Sequence, residues 1–366
     1  AEAEALTYNA WTEAKAKDEL APFAGPLTNL IALVREKIDA CREHEADPYD
    51  VLLDAYDPGT TVASLDPMFS RLTEGLKTVL DRVKGLPQPP PLTGRWPLEP
   101  QRALHKRISA ALGYDYDRGR FDETVHPFSV SVGHGDARLC AHLYEDDLLR
   151  GLTGTLHEAG HAMYEQGLPK ETIALPVGRA RSAGIHESQS LSFEMQVARS
   201  PAFLRLVAPI LREHLGDQPA FSAENLVNRY RQVKPALIRV EADELCYPAH
   251  VILRFEIERA LIGGEIEAED IPALWDEKMM QYLGLDTRGD FKDGCLQDVH
   301  WPEGLFGYFP SYTLGAMCAA QYFTAIRKAM PDLDARIEAG ELKPVFDWLE
   351  ANIWRHGSRY ETDGDK

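Results

Sequence analysis

The sequence predicts an all-α protein, mainly helical, with one small β-hairpin beside a candidate active-site helix. Apolar residues recur every three or four positions through most of the chain, which is the spacing of a buried helix face. Strict alternation of apolar and polar residues is confined to residues 126–145, which indicates two short strands. No apolar run approaches the about 20 residues that a membrane-spanning helix needs.

The first 85 residues carry two apolar stripes at helical spacing. One stripe extends from Leu27 to Cys41 and the other from Leu65 to Val83. Pro58 and Gly59 lie between them and predict a turn. Both stripes are more typical of core-facing helices than of a functional site.

A proline-rich stretch, Leu86 to Pro100, follows these helices and is predicted to be an extended strap. Gln101 to Leu112 then predicts a short amphipathic helix. We therefore expect an N-terminal helical segment over residues 1–98 and a second region over residues 99–366 that contains the candidate functional residues, both within one continuous domain.

The hairpin is predicted from two alternating segments, residues 126–133 and 136–145, joined by a turn at Gly133–Gly135. An extended edge can pair with the backbone of a bound peptide, and such pairing does not select side chains. The alternative is a hairpin with a purely structural role.

The second half of the chain is predicted to be helical again after Ser190. Within the stretch Val233 to Ile262, Pro248 should kink or split the helix near Cys246. Residues 283–300 are rich in glycine and aspartate and predict irregular structure. Helix resumes from Thr313 to His356, and the tail, residues 361–366, is expected to fray.

The candidate site is the motif H-E-x-x-H, formed by His157, Glu158 and His161. On a helix, residues i and i+4 share one face, so both imidazoles can bind one zinc ion. Glu158 can then take a proton from a metal-bound water. Gly167 and Pro169 predict the end of this helix. The alternative is two ordinary helix histidines beside a solvated glutamate.

A catalytic zinc site needs a third protein ligand and keeps its fourth position open. The best candidate is Glu187, because the 26 residues that separate it from His161 leave room for a loop and a returning antiparallel helix. His186 is the competitor. Neighbouring residues on a helix point about 100° apart, so only one of the two should reach the metal.

Composition excludes several partners. The net charge of −19 argues against nucleic-acid and anionic-membrane binding, which require clustered lysine and arginine. The chain begins without the features of a signal peptide. Five cysteines, widely spaced and with no C-x-x-C pair, are typical of reduced thiols in the cytoplasm and do not suggest a cysteine zinc site.

Six motifs together resemble the carboxypeptidase Taq family of metallocarboxypeptidases. They are HPF (126–128), DARLC (136–140), HEAGH (157–161), HESQ (186–189), IRVEAD (238–243) and GCLQDVHW (294–301). The resemblance implies a zincin-like fold with a deep groove, zinc held by His157, His161 and Glu187, and Glu158 as general base. It also implies removal of C-terminal residues from peptides, a homodimer, and cobalt as an active substitute.

The chain departs from the family pattern in three ways. Cys140 replaces a threonine, which removes a hydroxyl donor, and Pro248 interrupts the helix after IRVEAD. Family members are also longer, so we expect this chain to lack an N-terminal helical section that helps to wall the groove.

Two further roles need candidates. Charge that develops on the scissile carbonyl oxygen needs a donor besides the metal, for which His300, Tyr308 and Tyr312 are available; Tyr312 and His300 are favoured. The free C-terminal carboxylate calls for an arginine, either Arg239 or Arg138.

Each assignment leaves an alternative open. Arg239 could instead form an ion pair with Asp243, one turn further along a helix. The same metal site could serve an endo-oligopeptidase or, with less support, an aminopeptidase, and a shortened groove could leave a non-catalytic zinc-binding helical protein.

Overall fold

The computed structural model describes residues 1–83, 85–133, 135–172 and 174–360. Over these residues the chain forms fourteen α-helices and three β-strands, which confirms the mainly helical prediction. The helices are α1 (Glu2–Lys17), α2 (Ala21–Cys41), α3 (Asp50–Tyr56), α4 (Val62–Val83), α5 (Leu98–Leu112), α6 (Leu148–Gly167), α7 (Ala183–Leu191), α8 (Pro201–Leu215), α9 (Ala223–Tyr230), α10 (Tyr247–Gly263), α11 (Ile271–Leu283), α12 (Pro310–Ala329), α13 (Leu333–Glu338) and α14 (Lys343–Asn352). The strands are β1 (Phe121–Glu123), β2 (Phe128–Gly133) and β3 (Asp136–Ala141). None of the described helices is long and apolar enough to cross a membrane.

One compact unit consists of residues 1–86 and 233–313. Within it α1 packs on α2, and α10 packs on α4 and α11. The two predicted stripes lie on the faces of α2 and α4 that carry their buried residues, which confirms both as core-facing helices, although Cys41 at the end of the first stripe is exposed. The Phe255 ring of α10 packs edge-on against Tyr49, which precedes α3, and against Phe69 of α4. The ring centroids are 5.6 Å and 5.2 Å apart.

The second compact unit consists of residues 87–232 together with the chain from Leu314 onward. Its hydrophobic core surrounds α6, which contacts α5, α7 and β3. The chain thus passes between the units inside the proline-rich stretch, at Leu86 and Pro87. The division at residues 98 and 99 stays a prediction.

The sheet lies in the second unit, with strand order β1-β3-β2. β2 pairs antiparallel with β3 and confirms the hairpin, although His134 of the predicted turn lies outside the described residues. The second strand ends at Ala141, so its predicted extension to Glu145 is wrong. The sequence did not predict β1, which runs parallel to β3 and is too short, at three residues, to display an alternating pattern.

The strap is shorter than predicted, because α5 begins at Leu98 directly after Pro97. Pro100 therefore lies in the first turn of a helix, so the prediction that the extended stretch reaches Pro100 is wrong. Backbone N–H groups in a first turn have no intrahelical acceptor, so a proline loses nothing there.

Pro248 also lies in a first turn, because α10 begins at Tyr247. The predicted break near Cys246 is therefore confirmed, whereas the helix predicted before it, from Val233, is wrong. Between Val233 and Cys246 the helical structure is limited to a 3₁₀ turn, Arg239–Glu241. The Asp243 carboxylate accepts hydrogen bonds from the backbone N–H groups of Leu245 and Cys246, each at 3.0 Å. Those bonds favour a turn over a helix at this point.

The remaining predictions concern the C-terminal part of the chain. Residues 284–309 form turns and irregular structure, which confirms the prediction for residues 284–300, whereas Leu283 is the last residue of α11. Helix resumes at Pro310, three residues before the predicted Thr313, because a proline can occupy the first position of a helix. The tail that was expected to fray, residues 361–366, lies outside the described residues.

Candidate metal centre and active site

The helix α6 presents the H-E-x-x-H motif as predicted. The Asp147 side chain caps its start by accepting a hydrogen bond from the Arg150 backbone N–H at 3.2 Å. The rings of His157 and His161 lie one turn apart, with centroids separated by 4.9 Å. The helix ends at Gly167, where a Cβ atom would lie 2.2 Å from the Trp354 ring, so that glycine permits a close approach.

The helix α7 brings the predicted third ligand to α6. It begins at Ala183, directly after Ser182, whose hydroxyl accepts a hydrogen bond from the Ile185 backbone N–H at 3.1 Å. The two helices touch at Gly160, where a Cβ atom would lie 2.6 Å from Ser190 Cα and 2.8 Å from Gln189 O. Only glycine allows the backbones to approach this closely.

Three side chains converge between these helices. Glu187 Oε2 lies 3.3 Å from His161 Nε2, and Glu187 Oε1 lies 3.8 Å from His157 Nε2. The candidate ligand atoms all lie within 4.8 Å of one another. Ligands about 2.1 Å from a tetrahedral ion are about 3.4 Å apart, so these separations suit one shared ion.

The burial of Glu187 supports the same interpretation. Its side chain is buried, and Oε1 has no hydrogen-bond partner among the described residues. An unsatisfied buried carboxylate oxygen is costly unless a cation lies against it. The two imidazoles and this carboxylate therefore fit a divalent metal.

Further side chains contact the Nδ1 atoms of the two histidines, on the side of each ring that faces away from Glu187. His157 Nδ1 lies 2.8 Å from Glu194 Oε2, and His161 Nδ1 lies 2.7 Å from His186 Nδ1. His186 Nε2 lies 3.0 Å from Glu165 Oε1. His186, the competitor of Glu187, thus lies behind a histidine of the cluster and is not one of the three convergent side chains.

Sequence reasoning missed Glu194 and Glu165. Glu194 follows Glu187 by seven residues, which is close to two helical turns, so its spacing on one helix face could have identified it. Glu165 follows His161 by four residues and could have been found in the same way.

Glu158 lies beside the three convergent side chains and is 8% exposed. Within the described part of the chain, no hydrogen bond engages its carboxylate. Burial raises the pKa of this carboxyl to about 7. A carboxylate with such a pKa can both accept and release a proton near neutral pH.

The other predicted catalytic residues lie in the first unit. His300 Nε2 is 2.9 Å from the Tyr312 hydroxyl, and the Tyr308 ring packs edge-on to Tyr312 with centroids 5.2 Å apart. The guanidinium of Arg239 lies over the Tyr312 ring, 4.7 Å from its centroid. The structure thus brings together the three aromatic rings of His300, Tyr308 and Tyr312 and the guanidinium of Arg239.

Arg239 is buried, and its ion pair is with Asp298 rather than with Asp243. Asp298 accepts hydrogen bonds from Arg239 Nη2 at 2.8 Å and from Arg239 Nε at 3.1 Å. Arg254 donates to the other Asp298 oxygen from Nε at 2.7 Å. The alternative, an ion pair between Arg239 and Asp243, is wrong, because Asp243 instead accepts hydrogen bonds from backbone N–H groups.

Arg138, the second candidate for the substrate carboxylate, lies on β3 in the second unit. It donates to both carboxylate oxygens of Asp136, at 2.9 Å and 3.1 Å, and is half-buried.

Comparison with known proteins identifies the family. The model of the carboxypeptidase Taq (M32) metallopeptidase family matches residues 1–365. Thermostable carboxypeptidase 1 of Thermus thermophilus is 43% identical over 98% of this chain and 72% of its own length. Carboxypeptidase 1 of Bacillus subtilis is 40% identical over 96% of this chain and 70% of its own length.

Solved structures agree with this assignment. Trypanosoma cruzi metallocarboxypeptidase 1 superposes with a TM-score of 0.93 at 42% identity, over 99% of this chain and 74% of its own. Pyrococcus furiosus carboxypeptidase superposes with a TM-score of 0.94 at 35% identity, over 98% of this chain and 73% of its own. The chain therefore belongs to the carboxypeptidase Taq (M32) metallopeptidase family.

Proposed function

We propose that this metallocarboxypeptidase uses one zinc ion, held by His157, His161 and Glu187, to hydrolyse the C-terminal peptide bond of peptides with broad side-chain specificity. The convergence of these three side chains around the unsatisfied Glu187 oxygen carries the proposal. Zinc favours this mixture of imidazole and carboxylate ligands, and cobalt can replace it. When bound, the ion supplies Lewis acidity that makes water nucleophilic near neutral pH.

Glu158 is the proposed general base. It accepts the proton that the attacking water loses and then passes this proton to the nitrogen of the leaving amino acid. Its burial beside the ligand cluster supports this role. A carboxylate with no competing hydrogen bond from the described chain can turn either oxygen toward water.

Tyr312 and His300 are the proposed donors to the developing oxyanion, with Tyr308 as the third candidate. Their hydrogen bond supports the assignment, because a His300 ring that carries its proton on Nε2 donates to the Tyr312 oxygen. A tyrosine hydroxyl can accept one hydrogen bond and donate another, which is the capacity that an oxyanion donor needs.

Arg239 is the proposed partner of the substrate carboxylate, with Arg138 as the second candidate. Arg239 and Arg254 share the single carboxylate of Asp298, so this triad has one excess positive charge. A buried excess charge favours binding of an anion. By contrast, Arg138 is already matched by Asp136.

The substitution Arg239→Ala tests that role. We expect it to remove the preference for free over amidated C-termini, whereas the matched change Arg138→Ala should preserve the preference. The opposite pattern would assign the role to Arg138. Cleavage rates on paired peptides provide the measurement.

The strand β2 is the proposed binding edge for the peptide backbone. It is an edge strand, it contacts α6, and Phe128, Val130 and Val132 of its sequence are 46%, 43% and 56% exposed. Backbone pairing with an edge strand contributes affinity without selecting side chains, in keeping with broad specificity. The alternative remains a structural hairpin.

We also propose a cytoplasmic homodimer. None of the five cysteines, all of which lie within the described residues, forms a disulfide, which supports a reducing compartment. The homodimer rests on the family resemblance alone.

Mass spectrometry of one N-blocked peptide and its C-terminally amidated twin tests the proposed activity. We expect the zinc-loaded protein to remove single residues from the free C-terminus and to spare the amide. Internal cleavage of both peptides would instead indicate an endo-oligopeptidase. No cleavage by protein with bound zinc would indicate a non-catalytic zinc-binding protein.

A further inference from the structure

A widened helical segment follows α7 and carries Glu194 to the metal cluster. Residues Ser192–Ala198 form a π-helix, in which backbone hydrogen bonds span five residues instead of four. From this segment the Glu194 carboxylate reaches the Nδ1 side of His157, at 2.8 Å. Glu187 lies on the opposite, Nε2 side of the same ring, at 3.8 Å. The two glutamates therefore flank one imidazole.

The π-helix also provides a partner for Glu194. The backbone N–H of Arg199 donates to the Glu194 carbonyl at 3.2 Å, and the Arg199 guanidinium donates to Glu194 Oε1. In a regular α-helix, residues five apart point about 140° away from each other. The side-chain pair therefore depends on the wider turn, and both of its members are largely buried.

We infer that Glu194 is a positioning residue for metal binding and that Arg199 holds it in place. Glu194 accepts a hydrogen bond from the Nδ1–H group of His157, and this bond selects the tautomer whose Nε2 lone pair faces Glu187. The inference rests on the metal site proposed above.

The second histidine is supported differently. His161 Nδ1 contacts the imidazole of His186, which in turn contacts Glu165 at 3.0 Å. A carboxylate in direct contact increases the basicity of an imidazole more than a second imidazole does. Removal of the Glu194 charge should therefore weaken metal binding more than removal of the Glu165 charge.

The zinc dissociation constant of Glu194→Gln, measured by competition with a chromophoric chelator, tests the inference. We expect a constant about 10- to 100-fold higher than that of the wild type, and a smaller increase for the control Glu165→Gln. The visible spectrum of the cobalt-loaded Glu194→Gln protein should also differ from that of the wild type, because the ligand field depends on His157. A purely structural effect would instead lower the unfolding temperature of the metal-free protein and leave both the affinity and the cobalt spectrum of the folded fraction unchanged.

The outcomes separate this inference from the proposed function. Absence of zinc binding by the wild type would refute the metal site itself. Wild-type binding together with a Glu194→Gln affinity within about twofold of it would overturn the positioning role alone. If Glu194→Gln fails to fold, Glu194→Asp decides, since it keeps the charge opposite Arg199 but retracts the carboxylate from His157. Weaker binding by that variant is expected, and unchanged binding would overturn the inference.

Discussion

The tight contact of α6 with α7 at Gly160 provides a direct test of how the metal cluster is assembled. Replacing Gly160 by alanine places a Cβ atom 2.6 Å from Ser190 Cα and 2.8 Å from Gln189 O, both of them backbone atoms. Ordinary contacts begin near 3.4 Å, so the helices must separate by about 0.6 to 0.8 Å. Glu187 moves with α7 and so draws away from the two histidines.

The expected magnitude has two opposing parts. Overpacking of this kind costs about 1 to 3 kcal/mol, whereas alanine in a helix interior gains up to about 1 kcal/mol over glycine. We therefore expect a net destabilisation of up to about 2 kcal/mol. Metal–ligand distances tolerate changes of only about 0.2 Å, so the free energy of zinc binding should decrease by more than the free energy of unfolding.

A second glycine of α6 serves as the control. At Gly154 the nearest atom to an added Cβ is Pro127 Cγ at 3.7 Å, an ordinary contact. Gly154→Ala should therefore stabilise the protein by about 0.5 to 1 kcal/mol and leave zinc binding unchanged. Thermal unfolding and zinc titration of both variants provide the assay. A Gly160→Ala protein that matches Gly154→Ala in both measurements would refute the reasoning.

Three other substitutions test separate parts of the mechanism and the fold. Glu158→Gln should lower kcat by about 10²- to 10⁴-fold with unchanged zinc content, since an amide cannot accept the proton; elemental analysis that shows lost zinc would contradict a base role. Tyr312→Phe should cost about 2.7 to 4 kcal/mol of transition-state stabilisation, measured as kcat/KM, and an unchanged value would remove Tyr312 from the mechanism. Asp298→Asn leaves Arg239 and Arg254 without their carboxylate. It should lower the free energy of unfolding, measured with urea at pH 7, by about 3 to 5 kcal/mol. Burial opposes ionisation of Asp298, but the two guanidinium groups hold its pKa well below the usual range, so this contribution is complete above about pH 4 and decreases as the pH falls. A difference between wild type and variant that stays constant down to pH 3 would contradict this origin.

The parts of the site that depend on local spacing could be predicted from the sequence. His157 and His161 share a helix face because four residues complete about one turn, and the structure places them so. Glu187 required only the length of chain needed for a second helix to return. The 100° rule predicted that Glu187 and His186 point in different directions, and in the structure Glu187 lies on the Nε2 side of His161 and His186 on its Nδ1 side.

Other features depend on contacts that periodicity does not report. Asp298 pairs with Arg239 across 59 residues of chain, and local spacing suggested Asp243 instead. The π-helix that carries Glu194 changes the helical repeat itself, so a count based on 3.6 residues per turn does not predict its pairing with Arg199. Pro248 correctly marked a break near Cys246, but the helical pattern before it does not form a helix, because a proline inside an apolar pattern can mark the start of a helix.

Zinc stoichiometry of two neighbouring variants tests the proposed ligand set most directly. Equilibrium dialysis followed by elemental analysis should find one zinc ion per chain in the wild type and in His186→Gln, because His186 lies on the Nδ1 side of His161, away from Glu187. The same measurement on Glu187→Gln should find the site largely empty at equal free zinc, because that change removes the carboxylate that both histidines face. Full zinc in Glu187→Gln together with loss of zinc in His186→Gln would contradict the proposed metal centre.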